Sequence, residues 1–225
     1  MNRSESEGST RRIARPVVLA GLLAFAGALT ACAPLLIGGA ALGGAVVASD
    51  RRTTGAQVDD QSIEFKSGSR IKEAIGGLGH VNVTSFNRTV LLTGQVASES
   101  DKAAAEAAVS KIENVKAVVN ELTVGPNSSF GERSSDALIA TRLRASYIDA
   151  RDTFSSAYKI VVERGTVFLM GRVTEREAIR GTEIARGVAN VNKVVKVFEI
   201  ITEAELAQAQ TSVKDQPKSA PASGR

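Results

Sequence analysis

The 225-residue sequence predicts an α+β fold made of two copies of one αββαβ unit, and three observations carry that expectation. Val90-Leu91-Leu92-Thr93-Gly94-Gln95-Val96 reappears 77 positions later as Val167-Phe168-Leu169-Met170-Gly171-Arg172-Val173. Asn114-Val115 with Val118-Val119 reappears 76 positions later as Asn190-Val191 with Val194-Val195. Self-similarity at a fixed period marks a unit used more than once, and the slip of one places a single-residue loss between the landmarks, expected in the intervening helix. Within each copy the apolar positions switch between helical spacing and strict alternation, the pattern of helices mixed with strands.

The first 31 residues read as a secretion signal and not as fold. Arg3, Arg11, Arg12 and Arg15 make a basic start diluted by Glu5 and Glu7, and the apolar run Val17–Ala31 has the length of a signal-peptide core. It closes in Leu29-Thr30-Ala31-Cys32, small residues before the lone cysteine, which resembles the bacterial lipobox. That resemblance implies cleavage before Cys32 and a thioether from its sulfur to diacylglycerol. Ala33 in place of Asp after the cysteine is, under the usual sorting rule, compatible with passage to the outer membrane. Two other readings stay open: a core helix with a buried free cysteine, and an uncleaved anchor. Apolar residues continue through Leu35, Leu36 and Ile37 to Val46 and Val47, beyond the ~20 that span a bilayer. Pro34, Gly38, Gly39, Gly43 and Gly44 weaken such a helix. The G-x-x-x-G spacing of Gly39 and Gly43 is a weak signal in so Gly- and Ala-rich a segment. Arg11-Arg12 is a poor match to a twin-arginine signal. Residues 32–56 are therefore expected to be a lipidated, flexible leader.

The first copy spans 57–124. Asp59 and Asp60 are expected to cap a helix carrying Ile63, Ile71, Ile75 and Leu78, although Gly68 weakens it. Val81 and Val83 alternate with polar residues as in a half-buried strand, Asn87-Arg88 turn the chain, and Val90–Val96 form the next strand. Ser98 and Asp101 stand at capping spacing before an Ala-rich helix, and a valine-rich strand ends at Val124. Gly125-Pro126-Asn127-Ser128-Ser129 has loop chemistry, giving a linker over 125–133. The second copy, 134–201, opens with Ser135 or Asp136 as cap for a helix with Ile139, Leu143 and Tyr147 on one face. Ile160–Val162 form a strand, Arg164-Gly165 the turn, and Val167–Val173 a strand. Thr174 and Glu177 make a capping box for a helix through Val188, and Val194–Ile201 close the unit. Gly94 and Gly171 are read as structural, marking a bulge or a close helix approach. Neither opens a helix from a Gly-rich run, as a phosphate cradle requires. After Thr202 the residues are Ala, Gln, Lys, Pro and Ser, so 202–225 is expected to be a mostly disordered tail.

Composition narrows the chemistry. One Cys and one His exclude a multi-ligand zinc site, a disulfide framework and a Cys–His nucleophile, so no metal, cofactor or catalytic residue is assigned. His80, following Gly79, reads as a turn residue. Glu175, Glu177 and Glu183 lie near a helix start, where acids favour the macrodipole, and nothing nearby suggests a desolvated general acid. A net charge of +4 and basic positions without interleaved aromatics argue against nucleic acid as a partner. Binding is expected rather than turnover.

The repeat with its strand glycine, together with Gln57-Val58-Asp59-Asp60 and Phe168-Leu169-Met170-Gly171-Arg172-Val173-Thr174-Glu175-Arg176-Glu177-Ala178, resembles the dual-BON outer-membrane lipoproteins. The likeness covers roughly residues 20–201; the long polar start and the tail depart from it. It implies that each repeat is a sandwich of two helices on a three-stranded mixed sheet. It also implies a role in outer-membrane integrity, on the periplasmic face, with the second domain binding anionic phospholipid. The residues then nominate a surface. Leu138, Arg142 and Ala145 share a side of the helix near Asp136, with Thr141 and Arg144 nearby, so Leu138, Arg142 and Arg144 are the lipid-binding candidates. An aliphatic tip enters the headgroup zone while guanidinium meets phosphate. The bland alternative is a solvated helix face. A second function stays open: an adaptor whose strand edges and Ala-rich helices bind envelope proteins such as outer-membrane assembly or peptidoglycan-remodelling factors.

Overall fold

The computed structural model describes residues 50–77, 79–150 and 155–214. The expected signal segment 1–31, the expected acylation site Cys32, the expected leader up to residue 49, Leu78 and the tail beyond residue 214 lie outside them.

Helix α1 (Thr54–Ile75) starts at an N-cap whose Thr53 hydroxyl accepts from the Ala56 amide and ends where Gly76 turns left-handed at φ 64°. Strands β1 (His80–Phe86) and β2 (Thr89–Val96) pair antiparallel. Asn87 and Arg88 join them with φ of 49° and 68°, the positive-φ pair that matches the twist of a two-residue hairpin. Helix α2 (Glu99–Ser110) is capped by Ser98. The third strand comes in two pieces, β3 (Ala117–Asn120) and β4 (Thr123–Val124), both parallel to β2. The break at Glu121-Leu122 lets the Asn120 side chain accept from the Leu122 amide at 3.2 Å while Leu122 enters the core.

The second repeat follows the same order. Helix α3 (Phe130–Asp149) begins with a Ser129/Glu132 capping box. Strands β5 (Lys159–Glu163) and β6 (Thr166–Val173) form a hairpin through Arg164-Gly165, with φ of 48° and 72°. Helix α4 (Glu175–Gly187) carries the expected Thr174/Glu177 box, and β7 (Lys193–Ile200) runs parallel to β6. The two sheets have the orders β1-β2-β3, with β4 beside β2, and β5-β6-β7.

Four expectations are corrected. Asp59, Asp60, Ser135 and Asp136 cap nothing: α1 and α3 start earlier, at Thr54 and Phe130, so the linker expected over 125–133 already contains the first turn of α3. The buried aspartates instead lock the hairpins. Asp60 accepts from the amides of Asn87 at 2.8 Å and Arg88 at 2.7 Å. Asp136 does the same for Arg164 and Gly165, both at 2.8 Å. The lost residue lies not in the second helix but before it: Ala97 separates Val96 from the cap Ser98, whereas the cap Thr174 directly follows Val173. Gly94 marks a close approach of a strand, not of a helix, and Gly171 a close approach of the short 3-10 turn Ser155–Ala157 that precedes β5. A Cβ at either would collide with a neighbouring backbone carbonyl, of His80 and of Ala157 respectively, and Gly94 has φ 112°. Finally, the expected disordered tail begins as a helix, α5 (Glu203–Lys214). Its start is capped by Thr202 and Glu205, whose carboxylate takes the Thr202 amide at 2.7 Å, and Leu206 is buried.

Packing explains why the central strands read as nearly continuous apolar runs. Val90, Leu92 and Val96 of β2 face Ile63, Ile71 and Ile75 of α1 and Ala105 and Val109 of α2. Val167, Leu169 and Val173 of β6 likewise meet Ile139, Leu143 and Tyr147 of α3. The residues between, Leu91 on β2 and Phe168 and Met170 on β6, point the other way and join Phe86 in a third cluster with Val119, Val161, Val195 and Val197. Side chains alternate along a strand, so the sheets meet face to face and the helices lie outside. Polar contacts rim this seam. Lys159 donates to Glu64 at 2.9 Å, Gln95 donates to Glu163 at 2.7 Å, and Ser128 gives its amide to Gln95 and its hydroxyl to Glu163, both at 2.9 Å.

Candidate functional site

The buried ionisable groups are occupied by structure. Glu177 takes both guanidinium nitrogens of Arg51 at 2.7 Å and the Thr174 amide at 2.9 Å. Burial alone would push its carboxyl up, but Arg51 and the Thr174 amide more than offset this and hold it below the ordinary value. Burial likewise opposes the charge on Arg52, and the carboxylates of Asp50 and Asp60 overcome it, leaving its pKa raised. Among the described residues no cluster of His, Cys, Asp or Glu could hold a metal ion, and no helix is long and apolar enough to cross a membrane.

The surface that stands out is the outer face of α3. With about 3.6 residues per turn, the buried set Asp136, Ile139, Leu143 and Tyr147 defines the inner side. Phe130, Leu138, Thr141, Ala145 and Ile148 then fall on the opposite side, and all five are exposed, Phe130 by 80%, Leu138 by 58% and Ile148 by 71%. Helices bury one apolar stripe as a rule; this one has a second. Arg142 flanks the stripe on one side, and Arg133 and Arg144 on the other. Arg133 donates to the Ser128 carbonyl, whereas among the described residues Arg142 and Arg144 have no ion-pair partner. Of the acids of α3, Glu132 is folded back on its cap and Asp136 is buried, while Asp149, in the last turn, is exposed on the Arg142 border of the stripe.

Leu138 and Arg142, one turn apart, are thus brought together, while Arg144 borders the same stripe from its far edge. Sequence reasoning missed Phe130 and Ile148, which extend the stripe to both ends. The signal was present: Phe130 and Ile148 fit the spacing of Leu138, Thr141 and Ala145, but an assumed start at Asp136 cut off the first turn and half hid the pattern. In the first repeat the equivalent positions, 76 earlier, are Thr54, Ser62, Phe65, Ser69 and Lys72. Only Phe65 among them is strongly apolar, and it is 86% exposed.

Comparisons with known proteins agree with the repeat. The BON domain family model matches residues 59–126 and 135–202. The outer membrane lipoprotein DolP of Haemophilus influenzae is 39% identical over 176 residues, covering 77% of this chain and 90% of that protein. A 21 kDa hemolysin of Actinobacillus pleuropneumoniae is 30% identical over 158 residues, covering 68% of this chain and 79% of its own. Among solved structures, CdsD, a structural protein of the type III secretion system of Chlamydia trachomatis, aligns with 12% identity over 62% of this chain and 95% of its own. Its TM-score is 0.27, and that likeness carries no argument. Both matched segments fall on the two αββαβ units, so the chain belongs to the BON domain family, as a tandem two-domain protein similar to DolP.

Proposed function

We propose that this chain is a lipid-anchored protein of the outer membrane, acylated at Cys32 and facing the periplasm, that contacts anionic phospholipid through α3 of its second domain and supports membrane integrity. The lipobox-like Leu29-Thr30-Ala31-Cys32 and the lipoprotein relative support the anchor. The observation that carries the lipid contact is the exposed stripe of Phe130, Leu138 and Ile148 between arginines. Burying such a side chain fully contributes about 1.5–3 kcal/mol, and each basic residue near an anionic surface about 1 kcal/mol. The sum is modest for a free protein. A tether raises the effective concentration, so weak contacts set orientation and lipid preference.

The test is vesicle co-sedimentation of residues 48–225, the unit that holds all three core clusters. Binding should require anionic lipid, weaken with salt, and drop at least tenfold in Leu138→Glu/Ile148→Glu, since each charge must be desolvated where a methyl group entered. Unchanged binding in that variant, with the fold intact, would reject the reading. The adaptor reading rests on one observation, the exposed Phe65 of the first domain. Crosslinks in cells from position 65 to envelope proteins, with none from 138, would favour it.

A further inference from the structure

A strand at the end of a sheet turns alternate amides and carbonyls away from its one neighbour, where they can pair with another chain. The longest such edge is β7. All eight of its residues, Lys193–Ile200, pair in register with Thr166–Val173 of β6, and among the described residues no strand lies on its other side. The strand has no proline, and none of its residues has a positive φ. Its half-buried side chains continue both layers: Val194 and Phe198 pack on the core under the helices, Val195 and Val197 on the seam between the sheets. On β6, which has a strand on each side, Val167, Phe168, Leu169 and Met170 are at most 3% exposed.

The same edge of the first domain is blunted. Thr89 stands opposite Ala117 as Thr166 stands opposite Lys193, which sets Asn120 at the place of Lys196. There the strand breaks into β3, of four residues, and β4, of two. Asn120 reaches back to α2, donating to the Lys102 carbonyl at 3.0 Å and the Glu106 carboxylate at 2.9 Å, and it accepts from the Leu122 amide. Short and interrupted edges prevent unwanted pairing. One copy of the unit has that protection, and the other keeps an unbroken edge.

Charge selects the occupant. Lys193 and Lys196 are exposed, and among the described residues neither has an ion-pair partner. Glu199, the one acid of the strand, is taken by Arg172 at 2.9 Å and by the Asn87 side chain. A second copy fits poorly: in the antiparallel register centred on Lys196 that lysine faces itself, and like charges directly opposite destabilise a sheet. A slip by one residue turns the helix-side positions toward the seam.

We infer that the open edge of β7 takes an extended acidic segment of another protein as a fourth strand of the second domain's sheet, with carboxylates beside Lys193 and Lys196 and apolar residues beside Val194, Val195, Val197 and Phe198. Main-chain hydrogen bonds give an added strand its affinity, and its alternate side chains give selectivity. The inference stands apart from the α3 contact with lipid and from Phe65.

The experiment titrates residues 48–225 with an end-blocked octapeptide of Val and Thr that carries a pair of Glu at the spacing of Lys193 and Lys196. Amide shifts along Lys193–Ile200 and slower hydrogen exchange at alternate amides of that strand are expected, with no change along Ala117–Asn120. Lys196→Glu should weaken binding roughly tenfold and make the same peptide with Lys in place of Glu the better ligand. N-methylation of every second peptide amide keeps the charges and side chains, and one of the two alternate sets should abolish binding. Full binding by both N-methylated forms means charge contact without an added strand and overturns the inference. Equal binding of the acidic and basic peptides overturns it too. Edge shifts that follow protein concentration with no peptide present make a second copy the occupant, and overturn it as well.

Discussion

Arg51 precedes both matched BON segments, yet it is bound to the second domain. Its guanidinium makes two 2.7 Å bonds to Glu177 and one of 3.0 Å to the Arg172 carbonyl, and Arg172 returns a 3.0 Å bond to the Arg51 carbonyl. Both side chains of the ion pair are almost fully buried, 7% and 6% exposed. Arg51→Met keeps much of the aliphatic volume and removes the charge, leaving a buried carboxylate with only the Thr174 amide as partner. Breaking a buried pair from one side costs about 3–5 kcal/mol, whereas replacing both partners by apolar groups is often neutral. The double variant Arg51→Met/Glu177→Met should therefore recover most of the loss, except about 1 kcal/mol for the lost capping box. The assay is urea denaturation, read as a shift in midpoint at constant slope. The pH dependence supplies a sign. Because the Glu177 carboxyl is held below its ordinary value, the pair stabilises above the unfolded carboxylate range and this stabilisation is lost as pH falls through the folded value. In Arg51→Met the orphaned carboxyl rises instead, so the deficit of the variant should shrink as the medium is acidified. A loss below about 1 kcal/mol at neutral pH, or a double variant no better than the single, would refute the account of a buried, mutually dependent pair.

Two further substitutions check the fold. Asp136→Ala strands the amides of Arg164 and Gly165, the second of them buried, and should cost about 2–4 kcal/mol in the same denaturation assay. Gly68→Ala, in mid-helix with open space where the Cβ would go, should stabilise by about 0.5–1 kcal/mol. Gly94→Ala, at positive φ and against the His80 carbonyl, should destabilise severely, and calorimetry would show the two glycine variants moving in opposite directions.

The order of elements was legible in the sequence because the repeat, the alternating valines and the capping residues are local signals. The helix starts were not. Aspartate favours caps and also satisfies the amides of a turn, and Asp60 and Asp136 serve the hairpins 27 and 28 residues away. Only the tertiary fold shows which demand was met. Leu91, Phe168 and Met170 were likewise visible as apolar interruptions of an alternating pattern, but a strand that is apolar on both faces does not say what covers the second face. The outer stripe of α3 was half legible, since Leu138 follows from helical spacing alone, whereas Phe130 joins it only because the helix starts at Phe130 and not near Asp136.

The layering restricts where this protein can bind anything. Each sheet has one face under its own helices and the other against the neighbouring sheet, so no sheet face is left for a ligand. What remains among the described residues are strand edges and the outer faces of the helices. On α1 the outer positions equivalent to the α3 stripe are mostly polar, as expected for a face that meets only water. On α3 the same positions have become Phe130, Leu138 and Ile148, each a cost to solubility unless something covers it. A duplicated unit in which the cores are kept alike and a single outer helix face turns apolar has separated scaffold from contact surface. Arginines on both borders of that face are what the proposed contact with an anionic phospholipid leaflet, an apolar interior under a charged skin, would call for.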